Sequence, residues 1–354
     1  QSMRVKVIGC GLIGTSIALR LKELGESIWL EDKNAENLAL ANDLIGNQDP
    51  EPKTFDLIVI ATPISEIFNI LRNLKKFNDE STVIDIGGLK SKLLLEVEEL
   101  RDIAPLFVSA HPMAGREFSG PNNARADLFE GRAWLISKTT LTTPKSLDEA
   151  KKLGLKLGAT TYELSPKEHD STIAAISHMP QILSSLMGNL LNNEDPLSLN
   201  FAGQGLRDVS RLADSDKKMW SHLLQENSEE LIPRIEAAVD LLQKLQKDLS
   251  TNEVTNIERF LESGKTGRNK IPGKHGAKVR EYSFLPIVID DRPGQLAKIF
   301  DECAECKVNV EDLSIEHSPN QQTGLITLAL SENDAHKLKA HLQDKGWLAH
   351  EIHS

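Results

Sequence analysis

The chain has 354 residues, with 41 Lys and Arg against 52 Asp and Glu, for a formal net charge of −11. That length predicts two to three domains of about 150 residues each, and the acidic balance excludes a general polyanion binder such as a DNA-packing protein while leaving a small anionic substrate open to local arginines. The longest wholly apolar run, near Leu57 to Thr62, falls far short of the roughly 20 residues that cross a bilayer, and no basic segment leads into an apolar one as in an export signal. Three cysteines, Cys10, Cys303 and Cys306, are too few for a disulfide framework, which predicts a reducing, cytoplasmic setting. No membrane or nucleic-acid partner is expected. Gln1 and Ser2, ahead of Met3, are set aside as an expression remnant.

From Arg4 onward, short apolar runs alternate with helical segments: VKVIG, SIWLED, FDLIVIATP, TVIDIG, LFVSAHP, RAWLIS and, after the helix of LDEAKKLGLKLG, ATTYEL. This alternation predicts a parallel sheet with crossover helices, a Rossmann-type domain over residues 3–165. Gly9-Cys10-Gly11-Leu12-Ile13-Gly14 follows the first run and opens a helix near Leu12. In that context the spacing means a turn that lets a pyrophosphate approach the backbone at a helix N-terminus. A plain glycine turn is the alternative. Asp32, closing the second run beside Glu31, is placed to hold a ribose 2′-hydroxyl and repel a 2′-phosphate, so NAD is expected over NADP, tempered by Lys33. Thr62-Pro63, and Asp85 with Gly87 and Gly88, end the next two runs at the sheet's carboxyl edge and are expected to line the nicotinamide half.

His111 ends LFVSAHP at the same edge. A histidine there can take a hydroxyl proton near neutral pH, with an apparent pKa of about 6 to 7, although a lone histidine can equally be structural. Ser165, Pro166 and Glu168 spell a capping box with proline at the first helical position, opening a helical domain over 166–264. On its first helix Ser171, Ala174, Ala175, His178, Gln181 and Ser185 share a small polar face, expected either to meet a neighbouring helix or to line a site. Arg207 and Arg211, four apart, suit a carboxylate, or else sit on a solvated face. Pro233 is expected to kink the long amphipathic run from Met219 to Leu249.

Residues 265–281 are basic and rich in glycine, a flexible linker. Residues 282–354 read strand, helix, strand, strand, helix, strand, the βαββαβ order of a ferredoxin-like module. Cys303 and Cys306 form a lone CxxC on its first helix; with no second pair or other ligand cluster, no metal is expected.

GCGLIG, HPMAGREFSG, SPKEHDSTIAAISHMPQ and GLRDVSRLADSDKKMW, in this order, resemble the motifs of the prephenate dehydrogenase family over about residues 5 to 264. The tail resembles an ACT domain, whose amino-acid loop looks like Asp291-Arg292-Pro293-Gly294-Gln295-Leu296. The resemblance implies that His111 hydrogen-bonds the substrate ring hydroxyl and that Arg211 holds a substrate carboxylate. It also implies that Glu117, Arg207, Asp208 and Trp220 shape or gate the pocket, and that His178 supports it. Two positions depart from the family pattern. Gly88 stands where a DxGSxK loop has serine, so that Ser91 would have to supply the hydroxyl, and Gln181 stands where many members have a second histidine.

The implied reaction is oxidative decarboxylation of prephenate to 4-hydroxyphenylpyruvate, with aromatisation as the driving force. It needs a base, a cation for the ring carboxylate and an anchor for the side chain, which His111, Arg211 and the face around Gln181 could supply. Arogenate, with an amine in place of the keto group, is the alternative substrate, and a catalytically decayed amino-acid sensor is an alternative of another class. In the tail Asp291, Pro293, Gly294, Gln295 and Leu296, with Asn309 on the facing strand, are expected to hold an aromatic amino-acid effector such as tyrosine. Unburied apolar stripes on the helical domain predict a homodimer.

Overall fold

The computed structural model describes residues 2–46, 50–114, 120–272, 282–290, 292–317 and 323–353. The chain divides into two compact units, Gln1–Val239 and Asp240–Ser354. Among the described residues no helix is long and apolar enough to cross a membrane.

The first unit opens with β1 (Arg4–Ile8), α1 (Leu12–Glu23), β2 (Ser27–Glu31), α2 (Ala35–Ile45), β3 (Leu57–Ile60), α3 (Ile64–Arg72), β4 (Thr82–Asp85) and α4 (Ser91–Val97). It continues with β5 (Phe107–Pro112), β6 (Ala133–Lys138), α5 (Pro144–Lys156) and β7 (Thr160–Glu163). The seven strands form one sheet in the order β2-β1-β3-β4-β5-β6-β7. Every residue of β3 and β4 is buried, which is why these runs are continuously apolar rather than alternating. One face packs Val5, Val7, Leu57 and Val59 against Ile17 and Leu21 of α1 and Leu153 of α5. The other packs Ile58, Ile60 and Val83 against Ile67 and Leu71 of α3 and Leu94 and Val97 of α4. Each such fully buried aliphatic side chain contributes about 1.5 to 3 kcal/mol.

The expected all-parallel sheet needs correction. β6 runs antiparallel to β5, and β7 is parallel to β6. A parallel return needs a crossover of a dozen or more residues, usually helical. Between Pro112 and Ala133 the described residues hold only a single 3₁₀ turn, Pro121–Asn123. After β6 the 13-residue α5 makes a true crossover.

The helical segment comprises α6 (Pro166–Ile173), a π-helical turn (Ala174–His178), α7 (Met179–Leu190), α8 (Pro196–Leu199), α9 (Gln204–Ser210) and a 3₁₀ turn (Arg211–Asp214). It ends with α10 (Lys217–Glu226), α11 (Ser228–Ser250), which carries Pro233 in its interior, and α12 (Val254–Arg268). The expected capping box is present: the Ser165 side chain accepts from the Glu168 amide and Glu168 accepts from the Ser165 amide. The π turn rotates the helix face that a regular spacing would give. Ala174, His178 and Gln181 are buried as one set, but Ala175 is exposed and Ile173 is buried. The linker also begins later than expected, since α12 runs through Arg268; residues 273–281 lie outside the described residues.

The second unit's sheet is formed by β8 (Ser283–Asp290), β9 (Asp312–His317), β10 (Thr323–Leu330) and β11 (Leu348–Ala349), with α13 (Gln295–Glu305) and α14 (Glu332–Asp344). The order is β11-β8-β10-β9, all pairs antiparallel. Leu285, Ile287, Ile326 and Leu328 pack against Ile299 and Cys303 of α13 and Leu338 and Leu342 of α14. Burial pushes the Cys303 thiol up to about 11, so the CxxC pair sits protonated in an apolar core.

Candidate active site

The order of strands reverses between β1 and β3, whose carboxyl ends therefore open a crevice. Gly9 turns there at φ +103°, and a Cβ on it would lie 2.4 Å from the Ala61 carbonyl oxygen. A Cβ on Gly14 would lie 1.9 Å from the Gly9 oxygen, so α1 can start this close to β1 only with glycine there. At Gly11 a Cβ would meet nothing within 4 Å. That open ground lies over the start of α1, where Leu12 and Ile13 begin the helix and no side chain caps it. A pyrophosphate fits such a cradle, held by amides and the helix dipole. Asp32 stands beside it, accepting the Cys10 amide at 2.6 Å and the Asn34 amide at 2.7 Å. Lys33 is paired with Glu66, which offsets its attraction for a 2′-phosphate. Thr62 packs against Gly9, its hydroxyl buried with no partner among the described residues, and Pro63 follows as the N-cap of α3. These residues fit a dinucleotide.

Asp85 and Gly87 are hydrogen-bonded to each other at the end of β4. Asp85 is fully buried; it accepts hydrogen bonds from Ser109 and, at 2.7 Å, from the Gly87 amide, and its Oδ2 lies 3.3 Å from Lys90 Nζ. The Lys90 ammonium also donates to the carbonyls of Gly87 at 2.6 Å and Ala110 at 2.7 Å. Burial lowers the Lys90 pKa and Asp85 opposes the shift. This pair ties the β4–α4 loop to β5.

That loop sits beside His111. A Cβ on Gly88 would lie 3.9 Å from His111 Nε2 and 3.5 Å from Leu223, ordinary contact distances. Ser91, the other hydroxyl near this loop, is tied to Asp170, whose Oδ2 accepts the Ser91 amide at 2.8 Å. His111 Nδ1 lies 2.9 Å from His169 Nε2, and His169 Nδ1 lies 2.8 Å from Asp170 Oδ1. Burial, and then the Lys90 charge, hold the His111 pKa well below the ordinary histidine range, so the expected apparent pKa near 6 to 7 shifts downward. At neutral pH the ring is an uncharged proton acceptor.

His178 stands on the π turn, its Nδ1 3.1 Å from Asn227 Nδ2, with Trp220 edge-on at 5.7 Å between ring centres. Burial brings its pKa down to about 4. Gln181 is buried and its amide is committed: it donates to the Leu212 carbonyl at 2.8 Å and accepts from Ser215 at 3.2 Å. It therefore braces the turn that carries Arg211. Arg207 and Arg211 are exposed on α9 and that turn, and Asp208 accepts from Gln204 at 2.7 Å. Glu117 lies outside the described residues.

The sequence matches the model of a prephenate dehydrogenase nucleotide-binding domain over residues 17–163 and of a prephenate dehydrogenase dimerization domain over residues 165–263. A prephenate dehydrogenase of Lactococcus lactis is 30% identical over 82% of this chain and 83% of its own length. The chain belongs to the prephenate dehydrogenase family. It is also 28% identical to a probable prephenate dehydrogenase of Streptomyces niveus, over 97% of this chain and 98% of that protein. Among solved structures, the prephenate dehydrogenase of Aquifex aeolicus in complex with hydroxyphenyl propionate and NAD+ is similar with a TM-score of 0.69 and 27% identity. That match covers 76% of this chain and 98% of that one.

Several residues that build this dehydrogenase's site escape sequence reasoning. Lys90 reads as a surface lysine two residues after a glycine pair, and Asn227 as a helix-linking turn. His169 and Asp170 stand inside a motif quoted for the family, but neighbours on a helix point about 100° apart, so spacing gives no sign that Asp170 reaches His169 and His169 reaches His111. In the second unit, Asp291 lies outside the described residues. Pro293 and Gly294 form an exposed turn, Gly294 at φ +88°, leading into Gln295 and the exposed Leu296 at the start of α13. Asn309 precedes β9 rather than lying on it, and its amide donates to Glu311 at 2.8 Å.

Proposed function

We propose that the substrate is prephenate and that the products are 4-hydroxyphenylpyruvate, carbon dioxide and the reduced cofactor. The protein is an NAD-dependent dehydrogenase of the prephenate dehydrogenase family. What carries the finer reading is His111: an uncharged imidazole at the carboxyl edge of β5, with its Nε2 beside Gly88 and its pKa held down by burial and by Lys90. A neutral ring in that position can accept the hydroxyl proton of a cyclohexadienol. Bound NAD supplies the hydride acceptor. The carbinol C–H bond would then yield its electron pair as hydride to the nicotinamide, the ring carboxylate leaves as carbon dioxide as the ring becomes aromatic, and the proton held by His111 returns to the phenolate oxygen.

Arg211 is assigned to a substrate carboxylate, for which a planar guanidinium offers two parallel donors. Arg207, Asp208, Trp220 and Glu117 are assigned to the pocket's rim, with His178 supporting it. Prephenate is preferred to arogenate because relatives named for prephenate match this chain over nearly its whole length. Likeness to the Synechocystis arogenate dehydrogenase, at 24% identity, is one of fold.

The second unit is assigned as an ACT-type regulatory module, supported by its βαββαβ order and the glycine turn opening α13. An aromatic amino acid such as tyrosine is its assigned effector. Exposed apolar side chains along α7 to α11, among them Leu183, Leu190, Phe201 and Ile232, support a homodimer through the helical segment.

The test is the near-ultraviolet absorbance of reduced nicotinamide on mixing protein and NAD with prephenate and, separately, with arogenate. Growth with prephenate is expected. Growth with arogenate alone transfers the assignment to arogenate, and silence with both removes it.

A further inference from the structure

We propose that His169 and Asp170 act as positioning residues that fix the proton of His111 on Nδ1, so that Nε2 is always the bare nitrogen facing the substrate. The inference rests on the reading of His111 as the base. Asp170 is the anchor. Its Oδ1 accepts the Lys90 amide at 2.9 Å and its Oδ2 accepts the Ser91 amide at 2.8 Å. Burial alone would raise its pKa, but the hydrogen bonds from His169 and Ser91 outweigh it and hold the carboxyl below the usual range. It is therefore ionised at neutral pH and can only accept.

The rest follows from donor and acceptor bookkeeping along the chain of rings. His169 Nδ1, 2.8 Å from that carboxylate, must carry the proton. Burial disfavours the charged ring, so His169 is neutral and its Nε2 is bare. That bare nitrogen lies 2.9 Å from His111 Nδ1, which must then be the donor. A neutral His111 has only one proton, so Nε2 is left as the acceptor. An imidazole without this constraint would divide itself between two tautomers, and the one protonated on Nε2 cannot act as a base. When the substrate hydroxyl gives up its proton, the O–H bond breaks and a bond to His111 Nε2 forms. The positive charge then faces Asp170 through His169, which offsets the repulsion of Lys90. His178 is the other titratable ring in the cluster, and it stays neutral down to about pH 4.

Three variants test the relay, each checked for folding by its melting temperature and by NAD affinity. His169→Leu removes the acceptor from His111 and is expected to lower kcat roughly 10²- to 10⁴-fold with KM little changed. His169→Gln, whose side-chain oxygen can still accept from His111, should recover most of that loss. Asp170→Asn can donate to His169, which reverses both rings and should cost as much as His169→Leu. Full turnover in folded His169→Leu, or equal losses in the Leu and Gln variants, would overturn the relay. Independently, nitrogen NMR of histidine-labelled wild-type protein should show His111 protonated on Nδ1. An Nε2 proton there would overturn it with turnover intact. A protein that is silent on prephenate and arogenate but shows the Nδ1 proton would sink the substrate reading and leave the relay standing.

Discussion

The two units each hold a cluster of histidine, acid and lysine, and the two clusters behave differently. Around His111 the partners are out of water: Lys90 and Asp85 are fully buried, His169 is fully buried, and Asp170 is nearly so. In the second unit His341 Nε2 lies 2.6 Å from Glu302 Oε2, and Lys345 reaches both Glu302 at 3.0 Å and Glu305 at 2.5 Å, on the outer faces of α13 and α14. The same residue types therefore meet two dielectrics. In the buried cluster desolvation dominates, and it lowers the pKa of His111, His169 and Lys90. In the surface cluster the hydrogen bonds from His341 and Lys345 dominate, and they lower Glu302. Burial keeps these histidines uncharged, whereas the hydrogen bonds to Glu302 keep a carboxylate ionised. Glu302, Glu305 and His341 bring their ligand atoms within 4.8 Å of one another, a spacing a divalent ion could bridge, but the Lys345 ammonium already sits among them.

The largest test of this contrast is to strip the buried lysine of its counter-ion. Asp85→Asn leaves the Lys90 ammonium with two carbonyls and, of its opposing charges, only that of Asp170, and is expected to cost about 3 to 5 kcal/mol of stability in chemical denaturation. Pairing it with Lys90→Met removes the stranded charge and should recover much of that loss. A single variant within about 0.5 kcal/mol of wild type would mean that water reaches the pair and that the contrast between the units is false.

How much of this was legible beforehand follows the range of each interaction. The glycine turn, the strand runs and the Ser165 capping box depend on neighbours a few residues apart, and the structure places them where the sequence puts them. The reversed β6 depends on how β5 and β6 pair across the sheet, which apolar runs alone do not announce. The roles of Asp85, Gln181 and His169 depend on partners brought together from distant positions: Asp85 meets Ser109, Gln181 meets Leu212, and His169 meets His111. A sequence pattern can name the base, but not the buried groups that set its proton.

A second effect, smaller than the first, is pH dependence. His111, His169 and His178 have folded pKa values below the ordinary histidine value of 6.5, His178 at about 4. The unfolded chain therefore binds more protons than the folded one between those values. Stability is fully present above the ordinary value and is lost as pH falls toward the lowered ones. A fall in Tm of about 5 °C is expected for the first unit between roughly pH 7 and pH 5. The acid limb of kcat/KM should likewise lie below the usual histidine range. A Tm flat across that interval would show that these rings are charged or solvated in the native protein.

The smallest expected effect is at the surface cluster, and it sharpens the comparison from the other side. Glu302→Gln removes the acceptor that His341 and Lys345 share, yet the Lys345 ammonium is exposed and still has Glu305, so water and that carboxylate can serve it instead. The expected cost is therefore less than about 1 kcal/mol, and it should shrink further as salt screens the pair. Denaturation of the wild type and the variant at low and high salt reads this directly. A loss of several kcal/mol that persists in high salt would mean that Glu302 is effectively buried in the protein as it exists in solution. The second cluster would then obey the rules of the first, and a covering surface would have to be sought over α13 and α14.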